Sequence, residues 1–242
     1  MEGAVRRSGS ALFSGLGVTS DLDFPRRPLL AIDTSSAQGS IALYDGHRLS
    51  LRSWPADRSH TMTLLSEIHH LLDRDSVAVR ELAAITIAIG PGTFTGLRVG
   101  FGVAKGFHLA TGAPLIGVST LEATAIPFAL CGMPIVAAVA AGRGRLAWAH
   151  YQPKSGRLIE TQAPKNGTFD ELVAEIDGGE VIVTGELDGE QTDRLTRLER
   201  AYVPTTALRA RQPAALAEIG WGRWIAGQTD DAVTIEPMYL SR

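Results

Sequence analysis

The sequence predicts an α/β protein built as two lobes in tandem. Three observations predict it. Short apolar runs bounded by turn residues alternate with helical stretches, and this succession begins at residue 29 and again at residue 134. A glycine-rich run, Gly90-Pro91-Gly92-Thr93-Phe94-Thr95-Gly96-Leu97-Arg98, also carries a strand directly into a helix. With 242 residues, 45% of them hydrophobic and 20% charged, the chain is long enough for one large or two modest domains with real cores.

Residues 1–27 read as a disordered leader or an over-long start. Arg6-Arg7 followed by Ala11-Leu12-Phe13 is only a faint export signal, because Ser14, Gly15 and Gly17 break the apolar part and no cleavage site precedes Asp21. The first lobe is expected over residues 28–130. Residues 29–32 form an apolar strand that ends in Asp33-Thr34-Ser35-Ser36, small polar side chains able to bond backbone or a bound anion. Residues 40–44 and 47–54 make a hairpin around Asp45-Gly46. A helix follows, capped by Asp57 or Ser59, with Leu64, Leu65, Ile68, Leu71 and Leu72 as its apolar stripe, and it stops at Asp73-Arg74-Asp75.

Residues 82–89 form a buried strand and 96–110 a second helix. In that helix Gly96, Gly100 and Ala104 recur at every fourth position, and Gly102 and Gly106 form a second row. Each glycine costs a helix about 1 kcal/mol relative to alanine, so their repetition points to close approach of another element. Residues 115–118 form a fifth strand, after which Ser119 caps a third helix with Glu122 in its first turn.

The second lobe is expected over residues 131–242. Strands at 134–140, 145–151 and 157–162 open it, with Lys154-Ser155-Gly156 as a turn. A helix at 169–176, a strand at 180–184 and a helix at 191–198 follow. The last helix, 213–226, starts on Pro213 and has an apolar face of Leu216, Ile219, Trp221 and Trp224. The tail, 235–242, is too apolar to be idle and is expected to dock.

Composition excludes several functions. A net charge of -3 gives no global basic field, so nucleic acid would be held only with a partner. The single Cys131 excludes an internal disulfide and a multi-cysteine metal site, consistent with a reducing, cytoplasmic setting. No stretch approaches the roughly 18 uninterrupted apolar residues of a membrane span. His60, His69 and His70 show no His-x-x-x-His spacing, and adjacent helical positions point about 100° apart, so no metal site is expected.

The glycine run fails both phosphate-binding patterns. A P-loop needs Lys-Ser/Thr after its last glycine, whereas Leu97-Arg98 follow Gly96, and the dinucleotide pattern needs two residues where Gly92 and Gly96 enclose three. Two readings stay open: an anion-friendly turn with Gly92, Thr93, Thr95 and Arg98 contributing donors, or a structural or interface loop. Asp33, with Thr34 and Ser35, is a candidate for a metal-phosphate complex or for a self-satisfied Asx turn. Arg143-Gly144-Arg145 is either a solvated turn or an RNA contact. Neither a Gly-x-Ser-x-Gly elbow nor an acid/base dyad occurs.

Five segments carry a resemblance: Ala31-Ile32-Asp33-Thr34-Ser35, Ser59-His60-Thr61, the glycine run, Ile116-Gly117-Val118-Ser119-Thr120-Leu121 and Glu236-Pro237-Met238-Tyr239-Leu240. Together they resemble the TsaB (YeaZ) family from about Leu29 to the end of the chain. The resemblance implies an actin-like, sugar-kinase-like fold of two duplicated α/β lobes, each a mixed sheet flanked by helices. It also implies a non-catalytic scaffold or activating subunit, with no cofactor of its own. Its catalytic partner would be TsaD, which makes threonylcarbamoyladenosine at position 37 of tRNA. TsaD carries the metal-binding histidine pair that this chain lacks, a third subunit, the nucleotide-hydrolysing TsaE, joins the assembly, and tRNA is held only through the complex.

By the same resemblance the two helices of the first lobe face TsaD, which makes His60, Leu64, Ile68, Gly96, Arg98, Gly100, Val103 and Phe107 the candidate interface. An uncovered seam there also favours self-pairing of the isolated chain. One departure stands out: where relatives carry Asp-Ala-Arg at the end of the first second-lobe strand, this chain reads Ala140-Ala141-Gly142. The alternatives are a weak ATPase or kinase of the same fold with Asp33 and the glycine run at the phosphates and, below that, a glycoprotease.

Overall fold

The structure is a computed structural model that describes residues 27–55, 60–154, 157–176 and 178–240, with backbone alone for residues 60–62. The expected leader, apart from Arg27, and the caps Asp57 and Ser59 lie outside the described residues. So do the turn residues Ser155-Gly156, the last two residues of the tail and the side chain of His60.

In the first lobe, β1 (Leu29–Asp33), β2 (Gln38–Tyr44) and β3 (Leu49–Pro55) lead into α1 (His60–Arg74), and a 3-10 turn (Val79–Glu81) leads on to β4 (Ile85–Gly90). Next come α2 (Phe94–Thr111), β5 (Leu115–Ser119) and α3 (Thr120–Ala125). The sheet order is β3-β2-β1-β4-β5. Strand β1 pairs antiparallel with β2, from Leu29 opposite Tyr44 to Asp33 opposite Ser40, and parallel with β4. It is a continuous apolar run because helices cover both faces. Leu30 and Ile32 pack with Leu64, Ile68 and Phe101 on one side, and Leu29 and Ala31 pack with Leu216 and Ala217 on the other.

The second lobe repeats the plan. A second 3-10 turn (Ile126–Cys131) leads to β6 (Ile135–Gly142), β7 (Arg145–Lys154) and β8 (Arg157–Gly167), followed by α4 (Phe169–Glu175), β9 (Val181–Gly185), α5 (Gly189–Thr196) and β10 (Ala201–Tyr202). Its sheet order, β10-β9-β6-β7-β8, is that of the first lobe: two antiparallel hairpin strands on one side of the opening strand and two parallel strands on the other. The matching topology shows the duplication that the two similar starts indicated. Thr168 and Asp188 cap α4 and α5 through capping boxes with Glu171 and Gln191. Helix α3 lies between the sheets, with Ala123 in one core and Leu121 and Ala125 in the other.

Several expectations are corrected. Leu65, expected in the apolar stripe, is 46% exposed because it falls on the outer face of α1. Strand β10 and the short α6 (Thr206–Arg209) were not expected, being too short to show a period. The larger correction concerns α7 (Pro213–Ile225), which the expected division at 131–242 assigns to the second lobe. It packs instead across β1, β2 and β5 of the first. Small residues on that sheet face, Ala31, Ala42, Ala84 and Ala88, leave room for it. At Gly220 the helix approaches β4 so closely that a Cβ would lie 2.0 Å from Thr86 Oγ1. Arg223 then donates to Glu122 of α3 at 2.6 Å, and the Trp221 ring meets the Tyr44 ring edge-on at 5.6 Å.

The tail docks, as its composition indicated. Met238 N–H donates to the Ile89 carbonyl oxygen at 2.6 Å, Tyr239 stacks at 5.3 Å on Phe94, and Leu240 joins the second-lobe core. No helix among the described residues is long and apolar enough to cross a membrane.

Candidate functional site

A cleft of about 610 Å³ opens between the lobes. Asp33, Ser36 and Gln38 line it from the first lobe, Ala140, Arg145 and Glu186 from the second, Arg209 from the end of α6 and Arg211 from its connection to α7. Its position follows from the repeated topology, because the opening strand of each lobe ends here in polar or small residues.

Asp33 terminates β1 and is buried, and both its oxygens are taken. Ser35 donates to Oδ1 through its backbone N–H at 2.9 Å and its hydroxyl at 2.6 Å. Arg211 Nε donates to Oδ2 at 2.5 Å, and the same guanidinium reaches Glu186 Oε1 at 3.1 Å and Ser35 Oγ at 2.8 Å. Burial alone pushes the Asp33 carboxyl up, but the Arg211 charge and the hydrogen bonds from Ser35 and Arg211 outweigh it and hold the carboxyl below its usual range. Burial likewise lowers the Arg211 pKa, and the Asp33 and Glu186 charges more than reverse that. Of the two readings of Asp33, the Asx turn is built. A metal-phosphate complex would have to displace Arg211, because three donors already bond the carboxylate, two from Ser35 and one from Arg211.

The other oxygen of Glu186, Oε2, accepts the Ala140 N–H at 3.0 Å. Ala140, where the resemblance implies an aspartate, thus has a carboxylate on its backbone N–H, supplied from the end of β9. Arg209 is also buried, donating to the carbonyls of Gly185 and Leu187 at 3.1 and 2.9 Å and to Thr192 Oγ1 at 2.9 Å. Burial lowers its pKa. Sequence reasoning missed Glu186, Arg209 and Arg211. Two arginines just before the helix-starting Pro213 were visible, but their partners lie in other elements.

The glycine run does not line the cleft. It lies on the end of β1: Thr93 N–H donates to the Ser35 carbonyl at 2.7 Å and Thr34 Oγ1 donates to the Gly96 carbonyl at 2.7 Å. A Cβ at Gly92 would sit 2.3 Å from the Ser35 carbonyl oxygen. Gly90 takes a φ of 103° that favours glycine, and a Cβ there would lie 2.9 Å from the Met238 carbonyl oxygen. Thr93 and Thr95 are exposed. Of the six candidate anion contacts, only Asp33 lines the cleft. Thr34 and Ser35 are buried, Thr34 bonded to the Gly96 carbonyl and Ser35 to Asp33 and Arg211, and Gly92, Thr93 and Thr95 lie elsewhere.

The candidate interface is corrected in the same way. Leu64, Ile68 and Val103 are buried in the chain's own core, and Gly96 and Gly100 face Thr34 and Ile87 rather than a partner. Phe107 is half-buried, and Arg98 is exposed with its guanidinium 3.8 Å from the centre of the Phe94 ring. The second glycine row is the bare one, since a Cβ on Gly102 or Gly106 would meet no atom within 4 Å. On the same side of α2, Phe94 and Leu109 are 53% and 84% exposed, and Leu65 of α1 is 46% exposed. Arg143-Gly144-Arg145 forms the β6–β7 turn, with Arg145 folded onto Asn166 at 2.7 Å.

Two duplicated lobes with a cleft at the ends of their opening strands define an actin-like, sugar-kinase-like protein. The model of the family described as "TsaD: tRNA N6-adenosine threonylcarbamoyltransferase" matches residues 55–191. The tRNA threonylcarbamoyladenosine biosynthesis protein TsaB of Escherichia coli (strain K12) is 34% identical over 126 residues, 51% of this chain and 54% of that protein. TsaB of Bacillus subtilis (strain 168) is 30% identical over 139 residues, 57% of this chain and 61% of that protein. The chain thus spans about half the length of the curated relatives it matches. YeaZ from Pseudomonas aeruginosa superposes with a TM-score of 0.74 at 26% identity, covering 88% of this chain and 99% of that chain. The chain belongs to this family and, within it, to the TsaB (YeaZ) proteins.

Proposed function

We propose that the chain works in tRNA threonylcarbamoyladenosine biosynthesis as a non-catalytic subunit that docks on TsaD, the catalytic transferase. One observation carries the reading: α2 presents a bare face, Gly102 and Gly106, with exposed Phe94, Arg98 and Leu109 at helical spacing on the same side. An exposed glycine in a helix costs about 1 kcal/mol and yields nothing in the isolated chain, so a helix packing there at close range is its physical use. The partner is taken to be TsaD because a TsaD family model spans this region and the relatives are named for the modification. The proposed interface is accordingly the outer faces of α1 and α2. The cleft supports the non-catalytic part of the reading, since Arg211 occupies the carboxylate that a phosphate-transferring relative of this fold would need free.

The test is reconstitution. Mixed with TsaD, TsaE and the enzyme that forms threonylcarbamoyl-adenylate, the chain should restore modification of tRNA adenosine 37, and alone it should turn over neither ATP nor peptides. Robust ATP hydrolysis by the pure chain, abolished by Asp33→Ala, would establish the alternative of a weak ATPase. Elution as a homodimer that excludes TsaD would mean that the bare face serves self-pairing.

A further inference from the structure

We propose that Arg211 is a built-in occupant of the interlobe cleft, its guanidinium standing where a divalent cation would stand between Asp33 and Glu186. Three oxygens from the two lobes converge on this one group: Asp33 Oδ2 at 2.5 Å, Ser35 Oγ at 2.8 Å and Glu186 Oε1 at 3.1 Å. Two carboxylates and a hydroxyl form an oxygen-only set, the donor chemistry of a hard divalent cation that completes its shell with water. Arginine meets that set with a rigid fork of N–H donors and stays charged at every accessible pH, so the occupant cannot be titrated away. The Arg211 and Asp33 side chains are 7% and 4% exposed, which leaves water little part in the pairing.

The guanidinium carries one charge fewer than a divalent ion would. Two carboxylates against one guanidinium leave one negative charge, and a divalent ion in the same place would leave none. The arrangement also ties the lobes together. Asp33 ends β1 of the first sheet, Glu186 follows β9 of the second, and Arg211 sits on the strand of chain that returns to the first lobe as α7. The cleft is thus held at one width and closed to a metal-bound phosphate by a residue of the chain itself. This inference rests on the cleft alone and not on the docking of TsaD.

The experiment compares the full chain with Arg211→Met, which keeps the length and loses the charge, and with Arg211→Met/Asp33→Asn. Binding of Mn2+ is followed by calorimetry, and thermal unfolding is measured with and without millimolar MnCl2. Arg211→Met is expected to bind one Mn2+ at least about tenfold more tightly than the wild type and to unfold at a higher temperature when Mn2+ is present. The wild type and the double variant should show neither response. Equal Mn2+ binding by the wild type, or a folded Arg211→Met that ignores Mn2+, would overturn the proposal. So would an Arg211→Met chain that stays unfolded even with Mn2+, since an ion able to replace the guanidinium must also restore the fold.

Discussion

Gly96 in α2 faces the carbonyl oxygen of Thr34 so closely that a Cβ at this position would lie 1.9 Å from it. One turn on, a Cβ at Gly100 would lie 2.5 Å from Thr34 Oγ1. The two glycine rows of the helix therefore do different things. The inner row lets α2 sit on the end of β1, and a Cβ on the outer row would meet nothing within 4 Å among the described residues.

Alanine substitutions should separate the two rows. Gly96→Ala and Gly100→Ala gain about 1 kcal/mol of helix propensity but must displace backbone or a buried hydroxyl, at a cost of about 1–3 kcal/mol or more. Both are expected to lower the urea midpoint. Gly102→Ala meets open space and should raise stability by up to about 1 kcal/mol.

The same distinction bears on the proposed docking. Gly102→Glu should leave the fold intact and weaken the complex with TsaD, as read by size-exclusion chromatography of mixed proteins. Leu64→Ala, by contrast, empties a fully buried position and should cost about 2–5 kcal/mol of stability. A normal complex with folded Gly102→Glu would move the interface off α2.

The Asp33–Arg211 pair sets an acid limit. Because the folded-state pKa of Asp33 lies below the 3.8 of the free side chain, its contribution is complete above about pH 4 and is lost as pH falls through the folded value. Arg211 remains charged in both states across this window. Asp33→Asn leaves the guanidinium short of one charge and should cost about 3–5 kcal/mol at pH 7. Its unfolding free energy should also fall less steeply below pH 4 than that of the wild type, which denaturant melts at several pH values would read.

The tail should brace the helix start. Met238→Pro removes the N–H that reaches the Ile89 carbonyl and leaves that acceptor unpaired, at a cost of about 1–3 kcal/mol. Hydrogen exchange at the first turn of α2 is expected to accelerate in this variant. Exchange in α5, in the other lobe, should be unchanged.

How much of this was legible depends on range. The strand and helix order apart from β10 and α6, the cap at Ser119, the docking of the tail and the launch of α2 from a glycine run all follow from local signals: period, capping residues and bare backbone. The bare helix face was half-legible, since both glycine rows were visible but not which of them was covered. Asp33 stood out by its place at a strand end, whereas its partner lay 178 residues away with no periodicity to mark it.

The sequence by itself determined a duplicated α/β chain, because pattern and turn chemistry act over a few residues and each lobe starts on the same succession, and its five motif segments carried the resemblance to the TsaB family. Only the tertiary structure decided that α7 belongs to the first sheet, that Gly102 and Gly106 rather than Gly96 and Gly100 are open, and that Arg211 fills the cleft. Those outcomes turn on which surfaces meet, and a one-dimensional pattern tells that a residue has a buried face without telling what buries it.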